Sequence, residues 1–235
     1  MATTATAGAD GREVHDLRLQ WPFRMLLAGC SGSGKSTLTT RLVAQSSRAM
    51  TRAPARILVF YSHMQAAYRE LARRAPCPVD LLDGARHFTE ELTTEPGTLI
   101  IVDDMQATHA RLVSAWFTRK SHHYDSSIIH LVQNVFDKDP SHRTISLNAT
   151  YIVLFKNPRD MSQVTHLDKQ VYPGGNGLLT AAYRDATASR AHSYVVIDFN
   201  QATPENFRLR NTLFPDDDFP EAVAYGPALP APASS

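Results

Sequence analysis

The sequence predicts an α/β protein in three layers, with helices on both faces of a mainly parallel sheet. Three observations point there. Short runs rich in β-branched and aromatic residues alternate with stretches of helical spacing, the pattern of strand–helix–strand units. The first such run breaks into the glycine-rich stretch GCSGSGKS and continues as a helix. A later run, TLIIV, ends directly in the acidic pair Asp103-Asp104.

Taken in order, residues 1–12 are small and polar and read as a disordered lead. Val14 to Gln20 alternates in a way that suits an extra edge strand. Phe23 to Ala28 is long enough for one buried strand, and Thr37 to Val43 places Leu38, Leu42 and Val43 on one side of a helix. RILVFY, from Arg56 to Tyr61, is the second strand. A helix from Gln65 to Ala75 follows, stopped by Pro76 and Pro78. Val79 to Leu82 suits a minor strand and Thr89 to Leu92 a short helix. Thr98 to Val102 is the third clear strand, and Ala110 to Lys120 is helical in pattern. SIIHLV, from Ser127 to Val132, is the fourth strand, and a short helix is expected near Thr144 to Leu147. YIVLF, from Tyr151 to Phe155, is the fifth. Helical segments near Met161 to Val171 and Leu178 to Ala186 lead to a last strand, Tyr194 to Phe199. One domain over residues 13–214 is therefore expected. Residues 215–235, dominated by acids, prolines and alanines, read as a disordered tail.

Composition narrows the function. A hydrophobic share of 43% and a charged share of 20% describe an ordinary globule with a sizeable core. The formal net charge of +1 argues against a protein coated in basic residues, though not against a local basic patch. Two cysteines, Cys30 and Cys77, make no disulfide framework and fit a reducing, intracellular compartment. The N-terminus lacks the apolar core of a signal peptide, and no run approaches the ~20 apolar residues that cross a bilayer, so no membrane partner is expected. Ten histidines occur, none at a convincing metal-binding spacing, and they read as solvated loop residues.

The chemistry lies in the loop. Gly29-Cys30-Ser31-Gly32-Ser33-Gly34-Lys35-Ser36 fits G-x-x-x-x-G-K-[ST], and Thr37 follows it into the helix. Strand, glycine-rich loop and helix in that order form a phosphate-binding loop. Its glycines let successive N–H groups turn inward toward an anion, and the helix dipole adds to the same spot. Lys35 is expected to bridge the β- and γ-phosphates of ATP and Ser36 to ligate Mg²⁺. LIIVDD matches the acidic second half of such a site. Asp103 is the expected carboxylate of the magnesium shell, and Asp104 is placed to orient or deprotonate a water. Apart from the loop, an acidic pair after a strand would only cap the next turn. Gln133 closes the fourth strand. In the additional-strand class of P-loop NTPases, that strand lies directly beside the phosphate loop, so Gln133 would face the γ-phosphate. Arg143 and Arg159, expected in loops flanking the fifth strand, are candidates for an arginine finger. Either could equally be a surface ion-pair partner.

The combination LLAGCSGSGKST, LIIVDD, HLVQN and RTISLNATYIVLFKNPRD resembles the viral DNA-packaging ATPases of the FtsK–HerA superfamily. Among these are the poxvirus-type packaging ATPases and relatives in adintovirus-like and Maverick/Polinton elements. The likeness spans about Phe23 to Phe214 and is strongest from Thr98 to Asp160. It implies an ATPase that forms a ring, hexameric or pentameric, and drives double-stranded DNA into a capsid. Implied partners are DNA phosphates and a portal or vertex protein, with a nuclear or virus-factory location. Many members carry Glu where this chain has Asp104, whose shorter side chain must sit closer to the water. A small-molecule P-loop kinase is the alternative; the chain has no compact arginine-rich lid. A GTPase is disfavoured because no N-K-x-D follows a strand, and intact Lys35, Ser36, Asp103 and Gln133 argue against a decayed copy.

Overall fold

The computed structural model describes residues 6–7, 13–103, 105, 109–136, 139–174, 177–188, 190–213 and 222–226. Its centre is a sheet of nine strands. In chain order these are β1 (Arg24–Ala28), β2 (Arg56–Tyr61), β3 (Val79–Asp83), β4 (Thr98–Asp103) and β5 (Ser127–Val132). Then come β6 (Tyr151–Phe155), β7 (Tyr194–Asp198), β8 (Leu209–Arg210) and β9 (Ala224–Tyr225). Across the sheet the order is β9-β8-β7-β6-β1-β5-β4-β2-β3. The six strands from β6 to β3 are parallel, and β7, β8 and β9 join antiparallel. β5 lies between β1 and β4, which is the additional-strand arrangement of a P-loop NTPase.

The strands are apolar on both sides because helices cover both sides. On one face Met25, Leu27, Val59, Ile101 and Ile129 pack with Leu38, Leu42 and Val43 of α1 (Lys35–Ala44) and Tyr68 and Leu71 of α2 (Ala66–Arg74). On the other, Leu26, Phe60, Val102 and Ile128 meet α3 (Ala110–Ala115), α4 (Pro140–Asn148), α5 (Ser162–Val171) and α6 (Leu178–Ala188). α3 continues through a π-helical turn, Trp116–Lys120, into a last α-helical turn, Ser121–His123. The wider turn keeps Trp116 and Ser121, five residues apart, both buried. No helix among the described residues is long and apolar enough to cross a membrane.

Three local expectations are corrected. Val14 to Gln20 is not an edge strand. Glu13–Val14 pairs with Thr6–Ala7 away from the main sheet, and Leu19 makes one isolated bridge to Met50. Between them, Asp16 Oδ1 accepts the Arg18 backbone N–H at 3.0 Å, diverting it from any ladder. Thr89 to Leu92 is not a helix. The helical turn forms earlier, at Gly84–His87, because Asp83 Oδ1 accepts from Ala85 N–H at 3.0 Å. The Glu90 and Leu92 carbonyls instead accept from Lys120 Nζ at 2.5 and 3.1 Å. Arg143 lies not in a loop but inside α4, which starts early because Asp139 caps it and Pro140 occupies its first turn. Most of residues 1–12 and 215–235 lie outside the described residues, where β9 and the Thr6–Ala7 pair are the described exceptions.

One sheet edge is β3. It carries Asp80, whose carboxylate pairs with Arg56 Nε on β2 at 2.6 Å, and it ends in Asp83.

Candidate nucleotide-binding cleft

β1 ends at Ala28 and the chain turns through the loop before α1 begins at Lys35. The loop is tied to its neighbour strand: Gly29 N–H donates to Val132 O at 3.1 Å. Ser33 N–H closes the turn onto Cys30 O at 3.1 Å. Gly32 has φ 76° and Gly34, capping α1, has φ 106°, conformations that a side chain at either position would strain. A Cβ at Gly29 would meet Ser33 Oγ at 2.6 Å and Phe155 Cβ at 2.7 Å. Lys35 reaches back over the loop, its Nζ donating to Gly29 O at 2.5 Å and Cys30 O at 3.1 Å.

A cleft of about 1370 Å³ opens over this loop. Ser31 through Thr37, Asp103 and Gln133 all line it, so the structure gathers three separated motifs at the C-terminal ends of β1, β4 and β5. Gly29 and Cys30 form the near limb of the loop, as the carbonyls that hold Lys35. Asp103 is buried, with one carboxylate oxygen accepting the Tyr68 hydroxyl at 3.1 Å. Tyr68 is itself stacked on Tyr61 with ring centroids 5.3 Å apart. Gln133 is exposed at the cleft wall, and the Asn134 side chain shapes the turn after it by accepting Phe136 N–H at 3.0 Å. Asp104 lies outside the described residues.

The residues fit a nucleoside triphosphate with its metal. The loop closes on itself so tightly that a Cβ at Gly29 has no room, and the buried Ser33 Oγ within it has no hydrogen-bond partner among the described residues. Ser36 and Asp103 offer a hydroxyl and a carboxylate, the hard oxygen donors that Mg²⁺ takes.

Arg143 and Arg159 do not line the cleft. Arg143 is exposed on α4. Arg159 is exposed in the turn after β6, its N–H donating to Asn157 Oδ1 at 3.1 Å. Other charged and titratable groups do line it, and the sequence reading missed them: Arg41, His109, His130, His142, Arg190 and His192. His130 had a legible signal, since it interrupts an otherwise apolar strand. It is not the solvated loop residue expected but is buried, and burial drives its pKa down to about 3, helped by the nearby His142. Its Nδ1 has no partner among the described residues, and its ring faces Phe117 and His142, each 6.4 Å away by centroids. Arg190 and His192 had no such signal, because only the sheet order brings them beside the loop.

No protein-family model matches the chain, and no curated protein matches it. Among solved structures, it is similar to the genome packaging NTPase of Sulfolobus turreted icosahedral virus 2, solved with ATP-gammaS. The identity there is 14%, over 88% of this chain and 98% of that one, with a TM-score of 0.47. It is also similar to the cytoplasmic domain of the Thermomonospora curvata type VII secretion ATPase EccC. That match has 14% identity over 81% of this chain, a TM-score of 0.49, and covers 26% of the EccC chain. A third is the Legionella pneumophila ATPase DotB, at 15% identity over 59% of this chain and 42% of that one, with a TM-score of 0.36. The assignment to the P-loop NTPase fold rests on the strand order and the loop themselves.

Proposed function

We propose that this chain is an ATP-hydrolysing motor subunit that assembles into a ring, pentameric or hexameric, and translocates double-stranded DNA into a viral capsid. The observation that carries the ATPase part is Gln133. It ends a strand inserted between the phosphate-loop strand and the Asp103 strand, and it shares one cleft with Lys35, Ser36 and Asp103. The motor part is supported by the likeness of HLVQN and RTISLNATYIVLFKNPRD to the packaging ATPases.

In this reading the loop N–H groups and Lys35 bind and orient the phosphates. Ser36 and Asp103 would hold Mg²⁺, which supplies positive charge against the phosphate oxygens. Tyr68 keeps the Asp103 carboxylate turned toward the cleft. Asp104 takes a proton from the attacking water, and Gln133 reads whether the terminal phosphate is present. Arg143, exposed on α4 and outside its own cleft, suits a finger that enters the neighbouring subunit's site. DNA is gripped through phosphates, so its affinity falls steeply with salt and barely responds to sequence.

The test is the ATPase rate with and without double-stranded DNA, alongside the native mass. Stimulation by DNA in an oligomer supports the motor. A monomer stimulated instead by a small nucleoside or sugar would identify a kinase.

A further inference from the structure

The cleft has a direction. Asp103 and Gln133, which mark the terminal-phosphate end, stand at the tips of β4 and β5, on one side of β1. The rest of a nucleotide must leave the loop on the other side, where β6 and β7 lie. That side is walled by the turn at residues 190–193, just before β7, with Arg190, Ala191 and His192 exposed along the cleft and Phe155 and Tyr194 beneath them. The two aromatic rings pack with centroids 5.3 Å apart.

The turn is fixed against the loop. Lys156 N–H, just beyond β6, donates to Ser193 O at 2.9 Å, and Ser193 Oγ donates to Arg190 O at 2.7 Å. A Cβ on Gly34 would lie 3.0 Å from the Cβ of His192. His192 itself has φ 61°, a conformation that residues other than glycine seldom adopt. An imidazole is thus held exposed at the cleft wall, within contact of the cap of α1.

We infer that this turn is the nucleoside end of the site, where the imidazole of His192 stacks on the nucleotide base and Arg190 flanks it. The inference rests on the proposed nucleotide site and adds to it the residues that hold the base. Stacking uses the face of the base and not its edge, so it grips any nucleobase and discriminates by ring area.

The experiment compares two probes on the full chain by calorimetry with Mg²⁺: ATP, and inorganic tripolyphosphate, which has no base. His192→Asn removes the ring while retaining a side chain that tolerates positive φ. ATP binding is expected to weaken at least about fivefold, the lower end of what loss of a base–aromatic stack does, with tripolyphosphate binding unchanged. Unchanged ATP binding by His192→Asn, or equal weakening for both probes, would overturn the inference. A wild-type chain that binds neither probe would instead remove the phosphate site, and with it both readings.

Discussion

His130 gives a prediction with a sign and a size. Its imidazole is buried on β5, its Nδ1 lacks a partner among the described residues, and burial holds its pKa at about 3 against an ordinary 6.5. In the unfolded chain the ring takes up a proton as pH falls below 6.5, while in the folded chain it stays neutral down to about 3. The unfolded state therefore binds more protons throughout that window. Stability is lost as the pH drops through it. At 1.36 kcal/mol per unit, moving from about pH 7.5 to about pH 5 crosses roughly 1.5 units of the window and costs about 2 kcal/mol. His130→Leu, similar in volume and with nothing to protonate, should lack this component. Urea unfolding of both chains at the two pH values isolates it, because the other titrating groups are common to both and cancel. Between the two pH values the stability difference should shift by about 2 kcal/mol in favour of His130→Leu. Parallel stabilities at both pH values would refute the argument and place a proton, or an exit to solvent, at His130.

Other consequences are more local. Gly34→Ala puts a Cβ against His192 at a φ of 106°, and should lower stability by about 1–3 kcal/mol, read from a shifted urea midpoint. An unchanged midpoint would mean that the loop relaxes freely. Asp104→Asn should spare ATP binding yet stop turnover, with ATP recovered intact from the complex; near wild-type hydrolysis would discard Asp104 as the base. Arg143→Ala should bind ATP normally and hydrolyse it about 10³-fold more slowly. Mixing it with Lys35→Ala should restore some activity, because a mixed interface pairs an intact loop with an intact finger. No recovery despite confirmed co-assembly would shift the assignment to Arg159 or to a finger acting within its own subunit.

The parts of the fold that declared themselves in the sequence are those fixed by local chemistry. RILVFY, SIIHLV and YIVLF are strands from end to end, since the β-branched and aromatic residues that dominate each run are what two helical layers can bury. The phosphate loop is equally local: its glycines are required by backbone geometry within a few residues. Helix starts were less legible where a cap went unread. Asp83 and Asp139 each set the start of a helix, and the sequence Asp139-Pro140 carried that signal. The π turn of α3 could not be read, because its spacing is set by what Trp116 and Ser121 pack against. The same holds at the site. Lys35, Asp103 and Gln133 lie in motifs, whereas His192 reaches the loop only because β7 folds back antiparallel onto β6.

The charged edge of the sheet limits how copies of this chain can meet. Strand β3 ends the parallel row with Asp80 and Asp83 on five residues, so a second strand approaching edge to edge would meet charged side chains, Asp80 with its Arg56 partner and Asp83 at the cap of the next turn. Charged groups on an edge strand discourage strand-to-strand pairing between copies of an open sheet. In the proposed ring, shared backbone hydrogen bonds along this edge are therefore disfavoured. Contacts between neighbours would fall to helix and loop surfaces, which slide and re-form more readily than a strand ladder. A joint of that kind suits the proposed motor, in which neighbouring subunits shift against each other as nucleotide is turned over.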